Sequence, residues 1–410
     1  MRAKTTVRYY LIITILLAFL FFSNDFGLTD VQKTALVIAV GIDREENEFI
    51  VTSQIALPKS EKEGENTQSA QIVSKGKTVS EAFEQINAKT GWYPKLVFCQ
   101  LIVLGESATK KNVFEGLNFF LRDEYLSDGC LLAACNGSAQ ELLNAKNPVE
   151  ELSGLAASKV LSSHSERVGT VLPSTLREFS ASYYAEGKSG YLPILKAEPP
   201  QEKTSENEKS KGQSRDKSPS SESKGQSSGG EQSQEKSKEQ EEKVFSASET
   251  ALFLDGIQVG TLTEAESKTF AFVKSKLRLA TYLVKKGEVE YALNVKRNSP
   301  KIKLSLKEKT TPELKISITV TAGILDGANA QSVQDLSDAG EIPSGVLTNA
   351  EEKLKTDLVA LFEKACSLRC DIFDCIETLK RKEYDEYHAQ KSSLLQRIRP
   401  NVTIRFENVR

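Results

Sequence analysis

The sequence predicts an α+β protein of two mixed sheet-and-helix domains, the second with an antiparallel sheet packed by a long helix. Three patterns support this prediction. Apolar and polar residues alternate over 302–306, 314–320 and 402–406, as in strands with one buried face. Apolar residues recur every three or four positions over 354–379, as in a long amphipathic helix. No aliphatic or aromatic residue occurs in 199–243, so no core can form there.

The composition argues against several classes of function. The chain has 410 residues, with 54 Lys and Arg against 56 Asp and Glu, and a formal charge of -2. We expect no nucleic-acid partner, because a chain that neutralises phosphates carries an excess of cations. Only two histidines, His164 and His388, are present, which argues against a multi-histidine metal site and against imidazole catalysis. Catalysis by carboxylates stays open.

Residues 1–27 are predicted to form a cytoplasmic flank and a signal or anchor segment. Three cations at positions 2, 4 and 8 precede an uncharged, mostly apolar run over 9–22. As a helix this run would rise about 21 Å, against about 30 Å for the hydrocarbon core of a bilayer, so its length favours a signal sequence. Bulky residues stand where a cleavage site would need small ones, which keeps an uncleaved anchor open. The chain beyond residue 25 is expected to face outward.

The first domain is predicted to occupy residues 28–198. It opens with a hairpin: a buried strand at 34–41, a turn that begins at Gly41-Ile42-Asp43, and a returning strand at 49–57. Helices and strands then follow in mixed order, which indicates a sheet with helices packed on one side. The helices are predicted at 78–88, 113–121 and 139–143, and the further strands at 95–104 and 129–135.

Residues 199–243 are predicted to be a disordered linker, because small acidic and basic groups alternate there without apolar residues. The second domain then occupies residues 244–410. A hairpin tip is predicted at 285–287. Thr348 and Glu351 have the spacing of a capping box, which predicts that the long helix begins beside them. Its apolar stripe is expected to lie on the apolar face of the sheet.

Six cysteines are divided equally between the two domains, at positions 99, 130 and 135 and at positions 366, 370 and 375. Three thiols in one domain cannot all pair with each other. Buried or unpaired thiols, disulfides, and metal or redox chemistry all stay open as interpretations. A metal site on one continuous helix fails on geometry, because Cys375 would point nearly opposite to Cys366 and Cys370.

Other candidate motifs do not form a catalytic centre. Asp43 could be a catalytic carboxylate, but a turn residue that bonds its own backbone is the favoured interpretation. Hydroxyls flank His164 within 162–166, yet a catalytic triad is assembled in space rather than from neighbours in sequence. We therefore assign no catalytic, cofactor-binding or metal-binding residue, and we expect no cofactor.

Several short stretches of the sequence are each weak evidence for a protein family, but the order in which they occur along the chain is specific. In the first domain they are ALVIAVGID at 35–43, GKTVSEA at 76–82, LIVLGE at 101–106, FFLRD at 119–123 and YLP at 191–193. In the second domain they are ALF at 251–253, VGTLTEAE at 259–266, and 301–320 with the helix and strand that follow. In this order they resemble the C-subunit family of bacterial spore germinant receptors, known as Ger(x)C or GerAC-like proteins.

The sequence departs from the family pattern at a few places. Family members are typically lipoproteins with a cysteine that closes the signal peptide, whereas the first cysteine here is Cys99. We therefore expect no lipid anchor, and we expect the apolar segment at 9–22 to hold the protein. The family also tends to have glycines where this chain has Asp374 and Ile376, and the stretch at 199–243 resembles an insertion.

The resemblance implies a non-enzymatic, membrane-anchored subunit on the outward face of the inner spore membrane. Its implied partners are the integral-membrane A- and B-type receptor subunits, and the complex would sense a small nutrient germinant and trigger spore germination. No ligand residue is carried over from the family. The alternative, suggested by the many Asp and Glu residues, is an anchored extracytoplasmic hydrolase. That alternative requires a cleft with paired carboxyl groups of perturbed pKa.

Overall fold

The computed structural model of the protein describes residues 2–23, 34–56, 69–199, 242–307, 311–328, 341–390 and 394–409. The predicted linker therefore lies almost entirely outside the described residues. The helices are α1 (Arg2–Ser23), α2 (Val79–Thr90), α3 (Glu106–Thr109), α4 (Phe114–Leu121), α5 (Ala139–Asn144), α6 (Ser153–Val160), α7 (Ser163–Val168), α8 (Leu176–Tyr184), α9 (Glu264–Lys274), α10 (Ser344–Ser367), α11 (Cys375–Lys382), α12 (Tyr384–Gln390) and α13 (Leu394–Arg397). The strands are β1 (Thr34–Glu45), β2 (Glu48–Ala56), β3 (Ser69–Gly76), β4 (Tyr93–Lys95), β5 (Leu101–Leu104), β6 (Leu131–Cys135), β7 (Ser189–Glu198), β8 (Val244–Leu254), β9 (Ile257–Leu262), β10 (Ala280–Lys286), β11 (Val289–Lys307), β12 (Thr311–Ala328) and β13 (Arg399–Asn408).

The first sheet has a parallel centre and antiparallel edges. Its order is β3-β2-β1-β5-β6-β7-β8-β9, and β4 pairs with the beginning of β1. The pairs β1 with β5, β5 with β6, and β6 with β7 are parallel. Parallel neighbours need crossover connections, and helices α2 to α8 supply them. The strand predicted at 95–104 is thus two strands, β4 and β5, separated by a turn at 97–98.

Helices cover both faces of the first sheet. Ile102 and Leu104 belong to a core cluster that includes residues of α2, α4 and α8. Leu101 and Val103 belong to a second cluster that includes residues of α5 and α6. The prediction of helices on one side is therefore wrong. The sequence of β5, LIVL, is apolar at every position, as a strand buried on both faces requires.

The first sheet also takes strands from beyond the polar stretch at 199–243. β7 and β8 pair antiparallel, from Ser189 opposite Leu254 to Glu198 opposite Val244. The chain thus leaves the sheet at the end of β7 and returns beside it. The domain boundaries at 198 and 244 remain a prediction from the sequence. The hydrogen bonds between β7 and β8 join the segments on either side of the polar stretch in one sheet.

The second sheet has the order β10-β11-β12-β13. The first three strands are antiparallel as predicted, but β13 joins β12 in parallel, because helices α10 to α13 carry the chain back to the end where β12 begins. The predicted hairpin tip is confirmed at Gly287, which has φ 61°. Val402, Ile404 and Phe406 are buried as predicted, whereas Ile302, which was expected to face inward, is 38% exposed.

Helix α10 begins earlier than the capping-box pattern predicts. Its first residue is Ser344, and the Thr348 hydroxyl donates to the Ser344 carbonyl from within the helix. Glu351 Oε1 accepts from the backbone N–H of Phe406 at 2.8 Å, so this carboxylate ties α10 to β13 instead of closing a cap. The prediction is wrong because Pro343, whose fixed φ suits a helix start, precedes the pattern by five residues.

The long helix predicted over 354–379 is two helices. α10 ends at Ser367, and α11 begins at Cys375. Arg369 and Asp374 have φ values of 55° and 57°, in the left-handed region that interrupts helices. The apolar period continues across this break because both helices and the loop between them contribute to one core cluster with the second sheet.

A carboxylate joins α9 to α10. Glu266 completes a capping box with Thr263 at the start of α9, and its Oε2 lies 2.6 Å from Nζ of Lys364 on α10. Burial alone would raise the pKa of Glu266, but the hydrogen bonds from Lys364 and Thr263 outweigh it and hold the pKa below its usual value. Ionised Glu266 therefore stabilises the contact between the two helices.

We expect Glu266→Gln to lower the free energy of unfolding by about 1 kcal/mol at neutral pH, a modest value because both side chains are about one-third exposed. A group whose pKa is lowered by folding stabilises the protein above its unfolded pKa, and this contribution is lost as pH falls through the folded pKa. Urea unfolding at several pH values should therefore show a difference that shrinks on acidification. Glu264→Gln, in the same first turn of α9, is the control. Equal losses in both variants would contradict the assignment.

Candidate functional site

The carboxyl ends of β1, β5 and β6 meet at one edge of the first sheet. A cavity of about 380 Å³ lies there and is lined in part by Asp43, Arg44, Glu106, Lys110 and Ser138, which we call the strand-end crevice. Such an edge of a parallel sheet is where α/β proteins usually bind ligands. The crevice is therefore the first place to test the carboxylate chemistry that the sequence left open.

Asp43 lies in β1, is 5% exposed, and caps a helix. Its Oδ1 accepts from the backbone N–H of Ala139 at 2.9 Å, and its Oδ2 accepts from the hydroxyl of Ser138 at 2.8 Å and from the N–H of Gln140 at 3.0 Å. The favoured interpretation of Asp43 as a turn residue is wrong, because β1 continues to Glu45 and the turn follows at Glu46 and Asn47. The carboxylate instead holds the first turn of α5.

The other charged groups of the crevice also have partners. The Glu106 carboxylate lies 2.8 Å from Lys110 Nζ, and this hydrogen bond and charge hold the pKa of Glu106 below its usual range. The Arg44 guanidinium lies 2.5 Å from Glu115 and over the Phe49 ring. Glu106 thus does not resemble the protonated acid that a carboxylate hydrolase needs, and Asp43 is engaged in capping α5. The crevice can hydrogen-bond a small polar molecule, but its carboxylates are engaged in structural contacts.

The six cysteines are free thiols in the structure, and five of them are buried. Contact with the Cys99 thiol, together with burial, raises the pKa of Cys130. Burial raises the pKa of Cys370 to about 12. The thiols are thus unpaired and mostly buried, which was one of the interpretations of the sequence. Thiols that stay protonated are also poor nucleophiles. Within the described ranges, no group of three or more His, Cys, Asp or Glu side chains lies close enough together to hold a metal ion.

Residues far apart in sequence join the first sheet to the helices after α10, at a surface that we call the domain junction. Glu186 lies 2.7 Å from both Lys380 Nζ and the Tyr387 hydroxyl. The Ser189 hydroxyl, at the start of β7, accepts from the backbone N–H of Asp371 at 2.8 Å. Sequence reasoning missed these residues, because nothing in a single sequence relates positions about two hundred residues apart.

Asp371 is the buried carboxylate of the junction. It accepts from the backbone N–H groups of Cys375 at 2.9 Å and Ile376 at 2.7 Å, and so caps α11. Burial raises its pKa, while the two N–H donors oppose that rise. Asp371 and Asp43 therefore have the same role, since each is a buried carboxylate that holds the first turn of a helix.

An aromatic groove lies between α2 and α4. The rings of Phe83 and Phe119 stack with centroids 4.9 Å apart. A cavity of about 330 Å³ beside them is also lined by Tyr93, Pro94 and Asp123. The polar side chains of Ser80, Glu84 and Asn87 also line this cavity.

Helix α1 has an exposed apolar surface. Its large apolar side chains between Tyr9 and Leu17 are 53% to 69% exposed. Among the described residues, no helix has both the length and the hydropathy needed to cross a membrane.

Comparison with known proteins identifies the family. A model described as "Spore germination protein N-terminal domain" matches residues 28–197, and one described as "Spore germination B3/ GerAC like, C-terminal" matches residues 248–408. The chain belongs to the GerAC-like family of spore germination proteins. This confirms the resemblance to germinant receptor C subunits. The polar stretch at 199–243 falls between the two matched GerAC-like regions.

Individual relatives agree with this GerAC-like assignment. Spore germination protein B3 of Bacillus subtilis (strain 168) is 26% identical over 197 residues, which cover 46% of this chain and 50% of the relative. The chain thus aligns with about half the length of that relative. The crystal structure of the GerBC protein, at 17% identity, matches with a TM-score of 0.52 over 90% of this chain and 97% of the other. The second match shows a shared fold.

Asp374, at the break between α10 and α11, has a backbone conformation that favours glycine. Its φ is 57°, in the left-handed region that glycine adopts without strain. Asp tolerates this region better than most residues. The Asp374 carboxylate also lies 2.8 Å from Lys274 Nζ, so this residue forms an ion pair with α9.

We expect Gly105→Ala to destabilise the protein by about 2 kcal/mol, because a Cβ at Gly105 would lie 1.8 Å from Asp43 Oδ1 and displace the cap of α5. Gly129→Ala is the matched control, since its nearest neighbour would be the Ser127 hydroxyl at 3.6 Å. Thermal unfolding of both variants measures the difference. If Gly105→Ala were no more destabilising than Gly129→Ala, the role given to Asp43 would be wrong.

We expect Tyr387→Phe to lower the free energy of unfolding by about 1.5 kcal/mol, because it removes a hydrogen bond to the Glu186 carboxylate from a nearly buried hydroxyl. Tyr384→Phe, at a side chain that is 58% exposed on the same helix, is the control and should change little. Urea unfolding measures both. Equal midpoints for the two variants would argue against the junction contact.

Proposed function

We propose that this protein is a non-catalytic, membrane-anchored subunit of a spore nutrient germinant receptor. In this proposal it lies on the outward face of the inner spore membrane and assembles with integral-membrane A- and B-type subunits. The complex senses a small nutrient germinant and triggers germination. The observation that carries the proposal is the match of both GerAC-like regions, in order, to residues 28–197 and 248–408.

The geometry of the carboxylates supports a non-catalytic role. Asp43 and Asp371, the buried aspartates, bind backbone N–H groups at the start of α5 and α11. Glu106 is paired with Lys110. Groups with such fixed partners stabilise the fold, and they are poorly suited to exchange protons with a substrate. We therefore favour a function that rests on contacts with other proteins and with the membrane.

The N-terminal helix supports the proposed anchor. The apolar side chains of α1 between Tyr9 and Leu17 are exposed, and a bilayer would bury them. The cations at positions 2, 4 and 8 fit the cytoplasmic side of such a segment. In this proposal α1 replaces the lipid that family members typically carry.

Complementation in a spore-former that lacks the gene and its paralogues tests the proposal. The wild-type chain should restore germination in response to nutrients and should be recovered with the inner spore membrane. Glu106→Gln should restore germination as well, because no catalysis depends on that carboxylate. The pair Ile13→Arg and Leu16→Arg should abolish both the membrane recovery and the response, because charges in α1 oppose insertion.

Leu325→Arg is the matched control for the α1 variants, because it places the same charge at a side chain that is 59% exposed in the second sheet. It should restore germination. Normal nutrient germination in the deletion strain would contradict a receptor role. Loss of function in Glu106→Gln at normal protein abundance would contradict the non-catalytic role. Full function of the α1 variants would contradict the anchor.

A further inference from the structure

An exposed apolar patch lies at the end of the first sheet where β1 begins. We define the aromatic patch as Tyr93, Val97, Phe98 and Tyr125, whose exposed fractions are 60%, 47%, 53% and 56%. Apolar residues exposed singly are ordinary on protein surfaces, but a cluster dominated by aromatic rings marks an interaction surface.

Contacts between separate segments bring the patch together. Tyr93 on β4 is the register partner of Thr34, the first residue of β1. Lys95 Nζ lies 4.4 Å from the centroid of the Tyr125 ring, which places the loop before β6 beside β4. The interaction between Cys99 and Cys130 joins the turn that carries Val97 and Phe98 to the end of the same loop. The three segments thus lie beside one another, and β4 joins them to the beginning of β1.

The chain itself places this end of the sheet close to α1. Helix α1 ends at Ser23 and β1 begins at Thr34, so ten residues join them. Ten residues span at most about 35 Å when fully extended. If α1 lies in the membrane, Thr34 cannot be farther than this from the outer surface of the bilayer. The register partner of Thr34, Tyr93, is part of the patch.

The chemistry of the patch fits the interface of a bilayer. Tyr and Trp are enriched at the level of lipid headgroups, where the ring is buried and its polar atom stays hydrated. The Lys95 ammonium, which lies over the Tyr125 ring, adds a cation that can attract lipid phosphates. Trp92, which is half-buried, directly precedes Tyr93. The patch therefore combines aromatic rings and a cation at the end of the domain that is nearest to α1.

We propose that the aromatic patch rests on the surface of the phospholipid bilayer and fixes the orientation of the first sheet relative to it. This inference rests on the proposed anchoring by α1. The ten residues between α1 and β1 limit the distance between the first sheet and the bilayer. The aromatic patch supplies a second membrane contact in addition to α1. In this orientation the parallel strands of the first sheet begin near the membrane. The strand-end crevice lies at the opposite ends of these strands.

Trp92 is the only tryptophan of the chain and provides the measurement. The full chain is reconstituted into phosphatidylcholine vesicles whose acyl chains carry bromine, a contact quencher of indole fluorescence. We expect brominated lipid to quench Trp92, relative to vesicles without bromine. The combined variant Tyr93→Ser, Phe98→Ser and Tyr125→Ser should lose most of this quenching while still floating with the vesicles.

The matched control is the combined variant Leu325→Ser and Tyr384→Ser, which removes exposed apolar side chains far from the patch in sequence and should keep the quenching. Circular dichroism checks that both combined variants are folded. If the triple variant unfolds, Phe98→Ser alone replaces it, and this single variant is expected to lose part of the quenching.

Three results would overturn the proposal, and they are distinguishable. Flotation of the wild-type chain without quenching would refute the patch contact and leave the anchor intact. Failure of the wild-type chain to float would refute the anchor and the patch contact together. Quenching that is equal in the wild-type chain and the patch variant would also refute the contact. If the patch variant instead lost a protein partner without any change in lipid quenching, the patch would be a protein docking surface.

Discussion

The pairing of β7 with β8 is the constraint on which the rest of the structure depends. After β7 the sequence continues through a stretch without aliphatic or aromatic residues, and β8 then takes the adjacent position in the same sheet. This pairing sets where β9, α9 and the second sheet begin. Two segments that family models describe separately are therefore joined through backbone hydrogen bonds. The junction of Glu186 with Lys380 and Tyr387 adds side-chain contacts at the beginning of the same strand.

Buried carboxylates in this protein stabilise helix ends. Asp43 caps α5 from a neighbouring strand, and Asp371 caps α11 from the preceding loop. In both cases the carboxyl oxygens accept backbone N–H groups at the start of a short helix. The many Asp and Glu residues of the sequence suggested a hydrolase, but the contacts of Asp43 and Asp371 show that these two residues stabilise helix ends. Glu351 and Glu266 show a related use, since each ties α10 to a neighbouring element.

Local patterns in the sequence predicted those elements whose signals lie within a few residues. The start of α2 at Thr78, the hairpin tip at Gly287 and the buried face of β13 follow from caps, turns and alternation. Features that depend on distant partners were missed. The α10 stripe continues past the break at Arg369 because every segment faces one core, and the role of Asp43 depends on residues almost one hundred positions away.

The central claim is that the chain works by binding membrane proteins rather than by transforming a substrate. Gentle solubilisation of inner spore membranes, followed by affinity purification of the full chain and identification of its partners, tests this claim most directly. The account predicts recovery from the membrane fraction in a complex with the integral-membrane A- and B-type receptor subunits. Recovery of the chain alone, or from the soluble fraction of intact spores, would contradict it.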